Sequence, residues 1–268
     1  MELLNPDQIR DAVRQNYAEV ARQGGIAGCG CNPTSCCSDV SPRSVEMVSL
    51  QLGYSSGEIE NVPEGANLGL GCGNPQAIAT LRTGETVVDL GSGAGFDCFL
   101  SSRQVGDSGR VVGVDMTPEM IGRARANAKQ GGYNNVEFRL GEIEHLPIAD
   151  GFADVIISNC VINLSPDKPQ VFREAFRALK VGGRLAIADV VATAQLPEDI
   201  HGNLALLSGC IAGAALISDI EVMLKEAGFA EIRIRPKDES REFIREWSPG
   251  SDATNYVVSA TIEALKLA

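Results

Sequence analysis

Two sets of residues in this sequence have the types and spacing that chemistry needs. The first is a glycine-rich turn flanked by acids: Val87-Val88-Asp89-Leu90 runs into Gly91-Ser92-Gly93-Ala94-Gly95, and Asp115 closes the next apolar run. A Gly-x-Gly-x-Gly turn lets backbone approach a ligand where a Cβ would clash. An acid about twenty residues further on suits both hydroxyls of an unphosphorylated ribose. The sixth position of the turn is Phe96, not glycine, and Asp89 carries negative charge close to where a pyrophosphate would lie. Both features favour a nucleoside over a dinucleotide.

The second set is the eight cysteines. Cys29, Cys31, Cys36 and Cys37 share one short loop. Cys72 sits in Gly71-Cys72-Gly73, Cys160 in Ser158-Asn159-Cys160-Val161-Ile162-Asn163-Leu164, and Cys210 in Ser208-Gly209-Cys210-Ile211. In a reducing compartment they stay thiols unless they serve a redox or metal role. Cys98, on the helix after the glycine turn, reads as packing, because buried Cys commonly acts as a small hydrophobe. His145 and His201 are the two histidines, and neither lies in a nucleophilic-triad context. The cysteine loop with Cys72 offers a rival reading as a zinc or metalloid sensor. Structural zinc pairs favour a Cys-x2–4-Cys spacing, however, and the adjacent Cys36-Cys37 fit it poorly.

These residues need a scaffold. From Thr86 onward strand and helix patterns alternate, which predicts a parallel sheet with helices on both faces. Strands are expected after the first two at 136–140, 152–158, 184–191, 230–235 and 255–264, the last two as a closing hairpin. Thr117 with Pro118, and Ser218 with Glu221, read as helix starts, and Gly131-Gly132, Gly182-Gly183 and Gly228 as stops. Ahead of the sheet, Asn5-Pro6 opens an amphipathic helix that ends at Gly24-Gly25, a second helix is expected over 42–52, and 55–73 reads as irregular chain. In such a sheet the ligand lies beyond the carboxyl ends of the strands, where strand order reverses. Cys160 follows the fourth strand there, Cys210 falls in an apolar insertion after the fifth, and Cys72 precedes the first, so three thiols are able to converge.

Composition narrows the class. The 268 residues are 44% hydrophobic and 22% charged, as in a globular protein with a substantial core. A net charge of −12 without a basic stripe argues against nucleic acid. The polar first twenty residues do not read as a signal peptide, and the apolar stretch 204–217 is too short to span a bilayer and reads as a buried helix, so the expectation is a cytoplasmic protein with no membrane partner.

The glycine turn with Asp115-Met116 resembles the class I S-adenosylmethionine (SAM)-dependent methyltransferases, whose cationic cofactor suits Asp89. The string from Ser158 to Leu164, the Asp97-Cys98 pair, the Gly71-Cys72-Gly73 step and Cys210 before a Gly-Ala-Ala run resemble, more narrowly, the arsenite methyltransferase family. That resemblance implies a Rossmann-like α/β fold with a mostly parallel seven-stranded sheet and an antiparallel last strand. Residues 1–75 would cover the active site, and 76–268 would form the methyltransferase domain, with a substrate-binding insertion at about 193–217. It implies methylation of trivalent arsenic, a soft thiophilic centre, held by Cys72, Cys160 and Cys210, with Cys36 or Cys37 in a redox cycle closed by glutathione, thioredoxin or a similar external thiol reductant. It places Gly91 and Gly93 against the methionine part of SAM, Met116 and Ile143 around adenine, Glu142 near the adenine amino group, Asn159 near the methionine ammonium and Tyr17 over the pocket. The alternative is a SAM-dependent methyltransferase for another soft or thiol substrate.

Overall fold

The computed structural model describes residues 5–24, 42–197, 200, 206, 210–247 and 252–268. Its centre is a seven-stranded sheet in the order β3-β2-β1-β4-β5-β7-β6. The strands are β1 Thr86–Leu90, β2 Arg110–Asp115, β3 Val136–Leu140, β4 Ala153–Asn159, β5 Leu179–Ala192, β6 Ala230–Lys237 and β7 Val257–Leu265. Strands β1 to β5 run parallel, and β7 is antiparallel to both β5 and β6. The last pair is not a tight hairpin. A helix, α9 (Arg241–Trp247), and two 3₁₀ turns separate β6 from β7.

Apolar side chains on neighbouring positions of the central strands feed two cores, as expected for a sheet covered on both sides. Val88, Leu90, Val112, Val114 and Ile156 pack on α7 (Lys168–Ala178) and α8 (Ile217–Ala227) through Val171, Phe172, Ile220 and Leu224. Their neighbours Val87, Val111, Val155 and Ile157 face Phe99 of α5 (Phe96–Val105) and Ile121 and Ala124 of α6 (Pro118–Gly131). β6, at the sheet edge, alternates half-buried and exposed residues over most of its length.

The covering segments follow local rules. α1 (Pro6–Gln23) starts with a reciprocal capping box between Asn5 and Gln8 and ends at Gly24 with φ of 87°. α2 (Pro42–Gln51) is the next described element. The stretch expected to be irregular holds a short helix, α3 (Ser56–Glu60), whose Ser55 and Glu58 form a capping box, and α4 (Gln76–Ala79) comes just before β1. The start of α8 departs from expectation. Its N-cap is Leu216, Ser218 lies inside the first turn, and neither supplies a side-chain cap. Leu216 is instead fixed by a parallel bridge to Ala192. That bridge also ends the stretch expected as a buried helix: its described part from Cys210 to Leu216 is turn and irregular chain.

Candidate active site

One cavity of about 400 Å³ lies over the carboxyl ends of β1, β2 and β4, where strand order reverses. Gly91, Gly93 and Gly95 adopt φ of 68°, 51° and 95°. A Cβ on Gly91 would stand 2.4 Å from the Val161 side chain, whereas one on Gly93 would meet nothing within 4 Å and would stand in the cavity. The Asp115 carboxylate takes one backbone N–H on each oxygen, from Gly93 at 2.9 Å and Thr117 at 2.8 Å. The turn and the carboxylate thus hold one another, and each oxygen keeps acceptor capacity for a ligand hydroxyl.

Beneath the turn lies a group of buried acids. Cys98 donates its thiol proton to Asp89 at 3.2 Å, so this cysteine orients a cavity-lining carboxylate as well as filling space. Asp97 accepts from Tyr54 Oη at 2.9 and 3.0 Å, from Gln76 Nε2 and from Asn159 Nδ2. Burial raises all three acids: Asp89 well above its ordinary value, with Asp97 adding to the shift, Asp97 to about 6, and Asp115 upward against its two backbone donors. Among the described residues no salt bridge reaches Asp89, Asp97 or Asp115. Three buried carboxylates without a cationic partner, around a cavity of nucleoside size, fit a cationic nucleoside such as SAM.

Cys160 and Cys210 line the other end, and Cys72, in contact with Cys160, does not itself line the cavity. Cys72, Cys160 and Cys210 are all buried in one apolar cluster with Val13, Leu164 and Ile211. Asn159 Oδ1 accepts from Cys72 N at 3.0 Å, and its amide donates to Gly73 O and Tyr54 Oη, each at 2.9 Å. A Cβ on Gly71 would lie 2.8 Å from that amide and one on Gly73 2.9 Å from Ala188, so glycines on both sides let Cys72 reach the sheet. Cys210 Sγ donates to the Cys160 carbonyl at 2.8 Å, and the Cys160 thiol interacts with both other thiols. Cys160 and Cys210 have φ of 59° and 62°, and only Thr80 and Glu231 join them among described non-glycine residues at positive φ. Such backbone costs about 1 to 3 kcal/mol and is retained where the surroundings over-determine it. Burial pushes the Cys72 thiol up to about 12 and raises Cys160; contact with Cys160, then burial, raises Cys210.

Tyr17, Asp89, Gly91, Gly93, Asp115, Met116, Ile143 and Asn159 all line the cavity. Glu142 does not: it pairs with Arg10 and Arg14 of α1 at 3.6 and 3.3 Å, while Glu144, two residues on, lines the cavity and accepts from Ser165 Oγ at 2.7 Å. The Asn159 amide donates to Gly73, Tyr54 and Asp97, while its Oδ1 accepts from Cys72 N alone and keeps a second acceptor site. Burial of Tyr17 beside Cys210 and Cys160 raises its hydroxyl pKa. Cys29, Cys31, Cys36, Cys37 and His201 lie outside the described residues. Sequence reasoning missed Tyr54, Gln76, Glu144, Asp189 and Trp247. Asp97, two residues beyond the glycine turn, was within reach as a buried acid; Tyr54 carried no signal, since its partner is far along the chain.

The sheet order, the glycine turn and the acid cluster define a class I SAM-dependent methyltransferase, and residues 81–228 match the methyltransferase domain family. The chain is 51% identical, over 98% of its length, to the arsenite methyltransferase of Halobacterium salinarum, and spans 68% of that protein. It is 36% identical over 69% of its length to the arsenite methyltransferase of Mus musculus, of which it spans 51%. Among solved structures, it is similar to an arsenic(III) S-adenosylmethionine methyltransferase from Chlamydomonas reinhardtii, with a TM-score of 0.63 at 31% identity over 85% of this chain and 75% of that one. The chain belongs to the arsenite methyltransferase family. The [4+2]-cyclase SpnF, at 17% identity and a TM-score of 0.60, shares the fold alone.

Proposed function

We propose that this chain methylates trivalent arsenic, taking the metalloid on the sulfurs of Cys72, Cys160 and Cys210. The observation that carries this reading is a cluster of three buried thiols from three separate segments, two of which, Cys160 and Cys210, line one end of a cavity whose other end suits SAM, with Cys72 against Cys160. SAM, when bound, supplies an electrophilic methyl group. Gly93 would lie against its methionine part and Asp115 would hold its ribose hydroxyls, and Asp89 and Asp97 would balance its positive charge.

The raised thiol pKa values suit arsenite. Each thiol that condenses with an As–OH group forms one As–S bond and releases one water, its proton leaving with the hydroxyl. Three such steps load the metalloid without adding net charge to an apolar site, and desolvation of the charged forms does not oppose them. Arsenic bound by three sulfurs keeps its lone pair. The protein's task is then positioning and exclusion of water, and no general base is called for.

Addition of a methyl group leaves arsenic formally pentavalent. Two thiols can return it to the trivalent state by closing a disulfide, for which Cys36 or Cys37 with Cys72 are the proposed pair. Glutathione, thioredoxin or a similar external thiol would reopen it. No helix among the described residues is long and apolar enough to cross a membrane, and we place the reaction in the cytoplasm, where such reductants occur.

Incubation of the protein with arsenite, SAM and a thiol reductant, followed by mass spectrometry of the arsenic species, tests the reading. Methylated arsenicals are expected, and their formation should stop when the reductant is omitted. Unmodified arsenite alone, in a folded protein that binds SAM, would transfer the case to another soft or thiol substrate.

A further inference from the structure

Trivalent arsenic needs three donors, yet the thiol cluster has a further donor against it. Asp189, near the carboxyl end of β5 and buried, brings a carboxylate oxygen into a group in which it and the sulfurs of Cys72 and Cys160 all lie within 4.8 Å of one another. Its carboxylate accepts three hydrogen bonds, from Ile162 N at 3.0 Å, Asn163 Nδ2 at 2.9 Å and Val190 N at 2.7 Å. A carboxylate has about four lone-pair sites. One site is unspent in these contacts, and the two thiols are its neighbours.

We propose that Cys72, Cys160 and Asp189 form a binding site for a thiophilic divalent cation, of the class of zinc or cadmium, that competes with arsenic for the same sulfurs. The donor set is two sulfurs and one oxygen. A tetrahedral ion with bonds of about 2.0–2.3 Å needs donor separations of roughly 3.5 Å, so the group closes by about an ångström around zinc and by less around the larger cadmium ion. A fourth donor, water or the Cys210 thiol, completes the shell. On binding, two thiol protons leave to solvent and two metal–sulfur bonds form. The ion with two thiolates and one carboxylate carries one net negative charge, and the Lys168 ammonium stands near enough to act on Asp189. Arsenic, which keeps a lone pair and three sulfurs, has no use for the carboxylate. Asp189 therefore separates the two ligands chemically. Only the competition rests on the arsenic reading; cation binding does not.

The test is a cadmium titration of the reduced protein with Cys29, Cys31, Cys36 and Cys37 changed to serine, so that the loop thiols are silent. A sulfur-to-cadmium absorption band should saturate at one equivalent, and arsenite should abolish it one for one. Asp189→Asn should weaken cadmium by about tenfold or more, with the affinity for trivalent arsenic changed less than about twofold. No saturable band, or equal cadmium affinity in parent and Asp189→Asn, would overturn the proposal. Should Asp189→Asn fail to fold, cadmium NMR of the parent decides: a shift typical of mixed sulfur and oxygen ligation supports the site, and an all-sulfur shift overturns it. If arsenite fails to displace cadmium while Asp189 still governs its affinity, the arsenic reading fails and the cation site stands.

Discussion

At the cofactor end of the cavity, Gly91, Gly93 and Asp115 come from one turn and the neighbouring strand, and backbone N–H groups fix the carboxylate. In the thiol cluster at and beside the other end, Cys72, Cys160 and Cys210 come from a segment before β1, the end of β4 and the insertion after β5, and two of the three sit on left-handed backbone. The first end is local and is shared with many enzymes of this fold. The second end is assembled from distant pieces in an apolar setting, and the proposed arsenic chemistry rests on it. Asn159 joins the two, since one side chain bonds both the Cys72 segment and the Asp97 carboxylate.

This contrast predicts separable losses. The largest falls on the thiol end: Cys160→Ser or Cys210→Ser should lower arsenite methylation by about a hundredfold or more, because the metalloid loses the geometry that aims its lone pair. SAM affinity should stay near parental in both, measured by calorimetry. Parental turnover in Cys160→Ser would dissolve the distinction. Cys72→Ser sharpens it, since methylarsenite offers only two positions to protein sulfur; this variant should lose the first methylation and retain part of the second.

A change at the cofactor end should have the opposite signature. Asp115→Ala removes charge-assisted hydrogen bonds, each of about 1.5 to 3 kcal/mol, and SAM affinity should fall about tenfold or more. Arsenite binding without SAM should persist. If both ligands weaken together, the two ends are not independent.

The smallest effect is in stability. Burial lifts the Asp97 carboxyl from 3.8 to about 6. A folded-state pKa above the unfolded one gives stability that is full below about pH 3.8 and lost as pH rises through about 6. SAM-free protein should therefore gain from this group on going from pH 8 to pH 5, and Asp97→Asn should flatten the pH dependence of melting by about 2 °C or more. Identical pH profiles in parent and variant would remove Asp97 from the group of strained acids.

The same contrast governs what the sequence discloses. Strand β1, the glycine turn and Asp115 are contiguous enough to read directly, and the alternation of strand and helix discloses a parallel sheet, though not its strand order. The thiols Cys160 and Cys210 are legible as candidates because one follows β4 and the other falls in the insertion after β5, whereas Cys72 is marked only by its Gly71-Cys72-Gly73 setting before β1. Their partners are not. Tyr54 reaches Asp97 from 43 residues away, and Asp189 looks like an ordinary strand residue until β5 is set beside the loop after β4. Glu142 shows the limit in the other direction: the acid after β3 was expected at adenine, but α1 brings Arg10 and Arg14 over it, and those pairings were invisible along the chain.

In the proposed complex three named sulfurs, and no oxygen, surround the bound metalloid. Arsenic K-edge X-ray absorption of the reduced, arsenite-loaded protein, with the four loop cysteines changed to serine, tests this arrangement most directly. Three sulfur neighbours are expected in that protein, and two sulfurs with one oxygen when Cys210 is also changed to serine. Fewer than three sulfurs in the first sample, or three retained in the second, would contradict it.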